Sequence, residues 1–282
     1  MRQYLIGGSN MNNLLVVFLV SALSTSFAAF ERSGHGAKGA ALGGASIAMK
    51  GNIWGLCSNP ALGVEIPERV VSLDVVPDRF GLKELAETGI LWIEPTSLGA
   101  FAVSGTRLGF ELYREFTAAA SYALKVSKDA ALGCTMTISS LTIAGYGSDN
   151  AIGVDVGGVV ELSRSLRWGF ATYNINGAAI GEAKERLPRG YLVGLAYHPI
   201  DDLTVATEVQ KDIRNPGEVR VGVEYSLMDL VSLRCGTSQD PSTVTAGIGV
   251  VYSAFEMDYA FVHHSPLGVT HHFSFSIRPG GF

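Results

Sequence analysis

The feature that most constrains this chain is a period-two alternation of apolar and polar residues, which starts at residue 114 and continues almost to the end. Val221 and Val223, for example, alternate with Arg220, Gly222 and Glu224. Because successive side chains of a strand point to opposite faces of its sheet, each such stretch predicts a two-faced strand. Two architectures produce this pattern: a soluble sandwich, whose apolar face is a core, and a membrane barrel, whose apolar face meets lipid.

Strand length and strand number favour the barrel. The alternating stretches run for about ten to thirteen residues, against five or six in soluble sheets, and approach what a tilted strand needs to cross a bilayer. About fourteen strands are predicted, an even number, as bacterial single-chain barrels require. Tight connections such as 199–202 alternate with longer ones such as 105–113, 145–150 and 177–188. We therefore expect an all-β, antiparallel transmembrane β-barrel with periplasmic turns and longer outer loops.

Composition excludes several other classes of protein. Charged residues make up 17% of the chain, whereas soluble domains average about 25%. No segment after residue 30 supplies the roughly 18 consecutive apolar residues of a transmembrane helix. The net charge of -5 provides no basic surface for nucleic acid. Cys57, Cys134 and Cys235 are odd in number and widely spaced, so they predict neither a disulfide framework nor a zinc site.

The N-terminal residues predict a secretory signal peptide. Arg2 precedes an apolar run at 14–23, and the following Ser26-Phe27-Ala28 has small residues at the two positions that a signal peptidase reads. The run is shorter than the roughly 20 residues that span a bilayer, so we expect cleavage near Ala28 or Ala29. We predict a signal peptide at 1–29, an N-terminal hatch at 30–68 and an outer-membrane β-barrel at 69–279.

A run of small residues opens the mature chain. Gly34, Gly36 and Gly39 have the G-x-G-x-x-G spacing, but a dinucleotide site needs a strand before the glycines and a helix after them, and here a signal peptide precedes them. A mobile linker and a plug for the barrel lumen remain. We predict that residues 34–63 form a hatch in the periplasmic half of the lumen. The predicted hatch residues are Gly36, Gly39, Gly43, Gly44, Asn59, Pro60 and Ala61.

Several stretches resemble a known family. Gly36-Ala37, Leu42-Gly43-Gly44-Ala45 and Asn59-Pro60-Ala61 are similar to the N-terminal signature of the PorV/PorQ group within the FadL-like outer-membrane proteins, and residues 264–271 resemble the closing hairpin of that group. The resemblance covers residues 34–278 and implies a fourteen-stranded barrel with an N-terminal hatch. This chain departs from the pattern at Ser58, where the group usually has an aromatic residue, and at Lys50-Gly51-Asn52, where it usually has acidic residues.

The alternation also sends charged residues toward the lumen. The predicted lumen-lining residues are Asp155, Glu161, Glu208, Arg220 and Glu224. A wetted or salt-bridged interior is the ordinary role of such residues in barrels, and a selectivity lining is the functional alternative. His264 and His271 flank one short hairpin and are weak candidates for a shared metal ion, because imidazole is a common metal ligand; hydrogen bonding at the rim is the alternative role, and no metal site is predicted.

Two functions are open at this point. The first is a channel in the outer membrane of a Gram-negative-type bacterium, through which hydrophobic or amphipathic small molecules pass when the hatch shifts. The second is a PorV-like interaction protein, without transport activity, whose outer loops hold secreted proteins or a secretion machine. The predicted partners are outer-membrane lipid and either hydrophobic small molecules or secreted proteins and a secretion machine. No cofactor is predicted. An enzyme is not expected, because the sequence has no G-x-S-x-G elbow and no nucleophile tied by spacing to a base.

Overall fold

The computed structural model describes residues 29–30, 36–228, 230–239 and 241–279. Residues 1–28 of the predicted signal peptide therefore lie outside the described residues. Within the described residues, no helix is both long and apolar enough to cross a membrane. The helical elements of this part of the chain are one short α-helix, α1 (Ala37–Ala41), and three 3₁₀ helices at Ile53–Cys57, Pro60–Glu65 and Lys83–Leu85.

The strands follow the alternation that the sequence predicts, because each places apolar side chains on one face and polar or small ones on the other. Their bounds are β1 (Val70–Val76), β2 (Glu87–Thr96), β3 (Gly99–Gly109), β4 (Tyr113–Lys125), β5 (Ala130–Ile143), β6 (Gly147–Glu161), β7 (Leu166–Tyr173), β8 (Ala179–Ile180), β9 (Glu185–Arg186), β10 (Gly190–Ile200), β11 (Leu203–Asp212), β12 (Gly217–Leu227), β13 (Val231–Gln239), β14 (Ser242–Tyr252), β15 (Phe255–His264) and β16 (Gly268–Ile277).

Fourteen of these strands form one closed antiparallel barrel, which confirms the predicted fold class and strand number. Each strand pairs with its neighbour in sequence, except that β7 pairs with β10, because β8 and β9 form a separate hairpin within the connection 174–189. The barrel closes where β1 pairs with both β2 and β16. Closure leaves no sheet edge unpaired, as a membrane requires of any strand structure.

The two faces of the wall have the predicted character. On β12, the side chain of Val219 is 43% exposed, whereas Arg220 and Glu224 are 7% and 8% exposed. Large apolar side chains such as Trp92 and Phe101 also lie on the exposed outer face. The outer face is therefore apolar and the inner face polar, as in outer-membrane barrels.

The predicted alternation of loop lengths is only partly correct. β3 continues to Gly109 and β6 begins at Gly147, so the expected loops 105–113 and 145–150 shrink to the connections 110–112 and 144–146. Glycine and polar residues at these strand ends resemble turn residues in the sequence, but their backbones continue the ladder. Within the described residues the long connections are 77–86 and 174–189.

Candidate functional site

Residues 36–66, here called the N-terminal segment, pack against the inner face of the barrel wall. Its helix α1 contacts strands β13 to β16, and its 3₁₀ helix at Pro60–Glu65 contacts strands β2 to β6. A Cβ atom on Gly63 would lie 3.7 and 3.9 Å from those of Ala123 and Ala100, which are next to the short connections 126–129 and 97–98. The segment thus extends to the end of the barrel that carries the shortest connections.

Glycines of the barrel wall let the backbone of the N-terminal segment lie directly on the strands. A Cβ atom on Gly236 would lie 2.3 Å from the carbonyl carbon of Leu42, and one on Gly133 would lie 2.6 Å from the nitrogen of Ala61. Contacts this close would force the segment away from the wall. The wall glycines that a Cβ would bring within 3 Å of the segment are Gly89, Gly133, Gly157, Gly169, Gly194, Gly222, Gly236 and Gly247.

The glycines of the segment itself have different roles. Gly43 and Gly44 have φ angles of +64° and +84°, in the left-handed region that favours glycine. A Cβ on Gly43 would also lie 2.7 Å from the backbone nitrogen of Thr237. Gly39, by contrast, has ordinary space around it, with the nearest atoms at 3.7 Å. Close approach to the wall therefore depends on Gly43 but not on Gly39.

The first half of the segment is held by charged side chains of the wall. The buried carboxylate of Glu208 accepts hydrogen bonds of 2.9 Å from the backbone N–H groups of Ser46 and Ile47, and an Nη of Arg220 donates to its other oxygen at 3.1 Å. Such a carboxylate satisfies backbone donors in the interior that would otherwise be unpaired. Lys38 pairs with Glu224 at 3.0 Å, an ion pair with both side chains nearly buried.

Asn59, Pro60 and Ala61 form a corner of the segment. The side chain of Asn59 is fully buried; its amide nitrogen donates to the carbonyl oxygens of Ile47 at 2.9 Å and Gly158 at 3.1 Å. Its amide oxygen accepts from the N–H of Ala61 at 3.2 Å, which caps the 3₁₀ helix that Pro60 begins. One side chain therefore links both halves of the segment to the barrel wall.

Apolar packing holds the second half of the segment. Trp54 is 3% exposed and its ring nitrogen donates to the hydroxyl of Ser72 on β1 at 2.8 Å. The cluster around it contains Ile53, Leu56, Ala61, Leu62 and Ile66 from the segment and Val70, Leu91, Ile93, Ala102, Ala131 and Val159 from the wall. At the end of this half, Glu65 bonds to the buried guanidinium of Arg167; burial raises the pKa of the Glu65 carboxyl, and Arg167 offsets this only in part.

A polar cavity lies in the lumen beside the segment, along strands β2 to β6. It encloses about 110 Å³. Its wall is formed by Phe30, Cys57, Glu87, Ser104, Thr106, Arg107, Leu108, Glu115, Thr117, Ala119, Ser121, Thr135, Thr137, Ser139 and Asp155. Seven of these fifteen side chains are small and carry a hydroxyl group, and four are charged: Glu87, Arg107, Glu115 and Asp155. The cavity therefore presents many hydrogen-bond donors and acceptors, with a few apolar groups among them.

The end of the cavity away from the N-terminal segment is covered by Phe30 and by the connection 174–189. The backbone nitrogen of Phe30 donates to the carboxylate of Glu115 at 2.8 Å, and the Phe30 ring packs with Ile180 and Leu187 of that connection. The backbone nitrogen of Asn174 donates to Asp155 at 2.8 Å, which ties the connection to β6. The cavity thus has a covering element on each side along the barrel axis.

The five predicted lumen residues all project inward, but they make different contacts there. Glu208, Arg220 and Glu224 bind the N-terminal segment or one another. Glu161 pairs with Lys50 of the segment at 2.9 Å. Asp155 is the one of the five that lines the cavity. Most of these charges therefore serve as contacts for the segment instead of lining an open path.

His264 and His271 are not brought together. In the register of β15 and β16, His264 is opposite Gly268 and His271 is opposite Phe261, and the alternation places the two imidazoles on opposite faces of the sheet. His271 bonds to the hydroxyl of Tyr259 at 2.9 Å. Within the described part of the chain, no group of three or more His, Cys, Asp or Glu side chains is arranged to hold a metal ion.

Sequence reasoning missed three sets of residues. The hydroxyl residues of the cavity and the wall glycines alternate with apolar residues along the strands, as the charged residues do. Only the charged residues were predicted to line the lumen. Lys38 and Arg234 were also missed; the Arg234 Nε donates to Glu224 at 2.5 Å and its Nη1 bonds to Asp258. The hydroxyl residues and the wall glycines could have been found from the sequence by their position on the polar face of each strand.

Comparison with solved structures identifies the fold. The toluene transporter TbuX of Ralstonia pickettii superimposes with a TM-score of 0.67 at 15% sequence identity, over 88% of this chain and 99% of that one. The monoaromatic hydrocarbon channel CymD gives 0.65 at 12% identity, over 87% and 97%, and a FadL homologue of Pseudomonas aeruginosa gives 0.60 at 14%, over 88% and 98%. The chain has the FadL-like fold. No family model matches the sequence, and no curated protein matches it.

Proposed function

We propose that the protein is an outer-membrane channel for hydrophobic or amphipathic small molecules in a Gram-negative-type bacterium, gated by the N-terminal segment. The observation that carries this proposal is the lumen cavity, which is covered at one end by the segment and at the other by Phe30 and the connection 174–189. Solved barrels of the same fold that are named as transporters of toluene and channels for monoaromatic hydrocarbons support it. These neighbours are transporters and channels, which supports a protein that is not an enzyme.

The gate in this proposal is a hatch at 30–68 that precedes a barrel at 69–279. The described residues of the hatch contact the wall through side chains and backbone but add no strand to the barrel. The strands can therefore keep their pairing when the hatch moves. Displacement of the segment opens the lumen toward the end with short connections, which we assign to the periplasm because short turns face that side in such barrels.

Deletion of residues 36–61 tests the gate. The expected result is an assembled barrel, recognised by its heat-modifiable migration on a gel, with raised uptake of small solutes such as toluene and benzyl alcohol into liposomes. The control is the same quantity of intact protein in liposomes of the same lipid. Unchanged uptake by an assembled deletion variant would refute the hatch. If the deletion does not assemble, Gly236→Val provides the test, because a larger side chain there displaces Leu42 without removing the segment.

A PorV-like interaction protein is the second candidate, and membership of the PorV/PorQ group is proposed from the sequence signature alone. The observation in its favour is that the segment fills much of the lumen and that the long connection 174–189 is folded, with its own hairpin β8–β9. This candidate predicts no solute uptake by the intact protein and co-purification of an exported protein, which is lost when the connection 174–189 is replaced by a short turn. Solute uptake that depends on the segment would contradict it.

A further inference from the structure

We propose that the lumen cavity binds small amphipathic molecules that carry hydroxyl groups, such as aromatic alcohols and phenols, in preference to pure hydrocarbons. The role of this binding site in the cell rests on the proposed transport function. The binding site itself follows from the side chains of the cavity. It narrows the range of solutes within that function. It also distinguishes this chain from neighbours of the same fold that are named for hydrocarbons.

Unpartnered hydroxyl groups are the main observation. Among the side chains that line the cavity, five hydroxyls make no hydrogen bond to another described residue: Ser104, Thr106, Thr117, Thr137 and Ser139. Ser139 is only 6% exposed and lines the cavity. Ser121 and Thr135, by contrast, bond to each other at 2.8 Å. The cavity therefore presents donors and acceptors that a solute can use.

The remaining lining contains apolar side chains as well as the charged groups of Glu87, Arg107, Glu115 and Asp155. Phe30, Leu108 and Ala119 line it together with the hydroxyl groups, and the Phe30 ring is fixed by its packing with Ile180 and Leu187. Asp155 adds a carboxylate that can accept a hydrogen bond from a solute hydroxyl. A solute with one apolar face and one or two hydroxyl groups can contact both kinds of side chain.

The size of the cavity agrees with a molecule of one ring. At about 110 Å³ it is somewhat smaller than the cavity of about 150 Å³ that is known to hold benzene in an engineered protein core. Two rings or a long acyl chain would exceed it. A hydrocarbon of suitable size would fit by volume. It would, however, displace water from the unpartnered hydroxyls without replacing the hydrogen bonds that they make to water. Sites that form hydrogen bonds to a polar group of their ligand reject analogues that lack this group.

The test is calorimetric titration of the protein in lipid nanodiscs with toluene, benzyl alcohol and catechol, after subtraction of the heat from empty nanodiscs. We expect benzyl alcohol and catechol to bind about tenfold more tightly than toluene, the equivalent of one net hydrogen bond. The double variant Thr137→Val/Ser139→Ala should lose this preference. The matched control is Ser140→Ala/Thr142→Val, two positions on the same strand that face outward, which should keep it.

The outcomes separate the site from the proposed function. Equal or tighter binding of toluene, or no binding of any of the three probes, overturns the assignment of the cavity. Loss of the preference in the outward control as well as in the inward variant also overturns it, because the effect would then not come from the cavity. Binding with the expected preference but without uptake into liposomes would leave the site in place and refute transport.

Discussion

The two halves of the N-terminal segment lie in the same lumen but are held by different forces. Residues 36–50 depend on charged groups of the wall, above all Glu208 and Glu224, which receive backbone N–H groups and Lys38. Residues 53–66 depend on an apolar cluster around Trp54. The first half also buries Leu42, Ala45, Ile47, Ala48 and Met49 in a cluster of ten residues, and the alanines of α1 pack against Ala260. The cluster of the second half is larger, with twelve buried residues around Trp54.

This difference indicates which half can move. Ion pairs in a protein interior gain little net free energy, because the desolvation of both charges offsets their attraction, and water can replace each partner when the pair separates. Burial of apolar surface is favourable by about 25 cal/mol per Å². When an apolar contact opens, water does not compensate for the lost burial as it does for a separated ion pair. We therefore expect residues 36–50 to leave the wall more easily than residues 53–66, with the second half as the fixed end of the gate.

Trp54→Ala should have the largest effect. The substitution removes the largest side chain of the apolar cluster and its bond to Ser72, and truncations of this kind cost about 3 to 5 kcal/mol. Hydrogen exchange of the backbone amides of residues 53–66 measures the free energy of their opening. The control is Trp92→Ala, on the exposed outer face, which should leave that exchange unchanged. Equal effects from the two substitutions would remove the distinction between the halves.

Glu208→Gln should come next and should act on the other half. It removes the charge opposite Arg220 and weakens the acceptor for the N–H groups of Ser46 and Ile47, at a cost of about 2 to 3 kcal/mol. Amide exchange should quicken at residues 46 and 47 while residues 53–66 remain protected. Glu218→Gln, which also removes a partner of Arg220, is the control for the charge alone. Faster exchange in both halves at once would show that the segment opens as one unit.

The fold could be predicted from the sequence because a closed barrel repeats one local rule along its whole length. The alternation around Val221 and Val223 defines the face of each residue, and fourteen such strands have few ways to close. The connections 110–112 and 144–146 were predicted incorrectly because glycine in a strand resembles glycine in a turn. The site was harder to predict, since Glu208 and Ser46 are far apart in sequence and only the closed structure brings them together.

Gly236→Val is expected to have an intermediate effect, at about 1 to 3 kcal/mol, the usual cost of overpacking. The new side chain would occupy the space of the Leu42 and Gly43 backbone, so residues 36–50 must shift while the barrel, which tolerates valine in a strand, keeps its pairing. Amide exchange at residues 42–44 measures the shift. Gly105→Val is the matched control, because a Cβ there meets nothing closer than Phe116 at 3.8 Å. Unchanged exchange at 42–44 would mean that the wall glycines are not needed for docking.

The smallest effect should come from Lys50→Gln. Lys50 belongs to the charged half and pairs with Glu161 at 2.9 Å, but its side chain is 56% exposed, and exposed pairs contribute at most about 1 kcal/mol and are screened by salt. Lys38→Gln is the comparison, since Lys38 and Glu224 are only 12% and 11% exposed and removal of Lys38 leaves a buried carboxylate with one partner fewer. Exchange at residues 38–50 should therefore respond clearly to Lys38→Gln and barely to Lys50→Gln, and moderate salt should remove the Lys50 effect first. If Lys50→Gln increased exchange at residues 38–50 as much as Lys38→Gln did, the burial of an ion pair would not determine its contribution. Residues 36–50 would then be held by the total charge of the wall and not by the buried pairs.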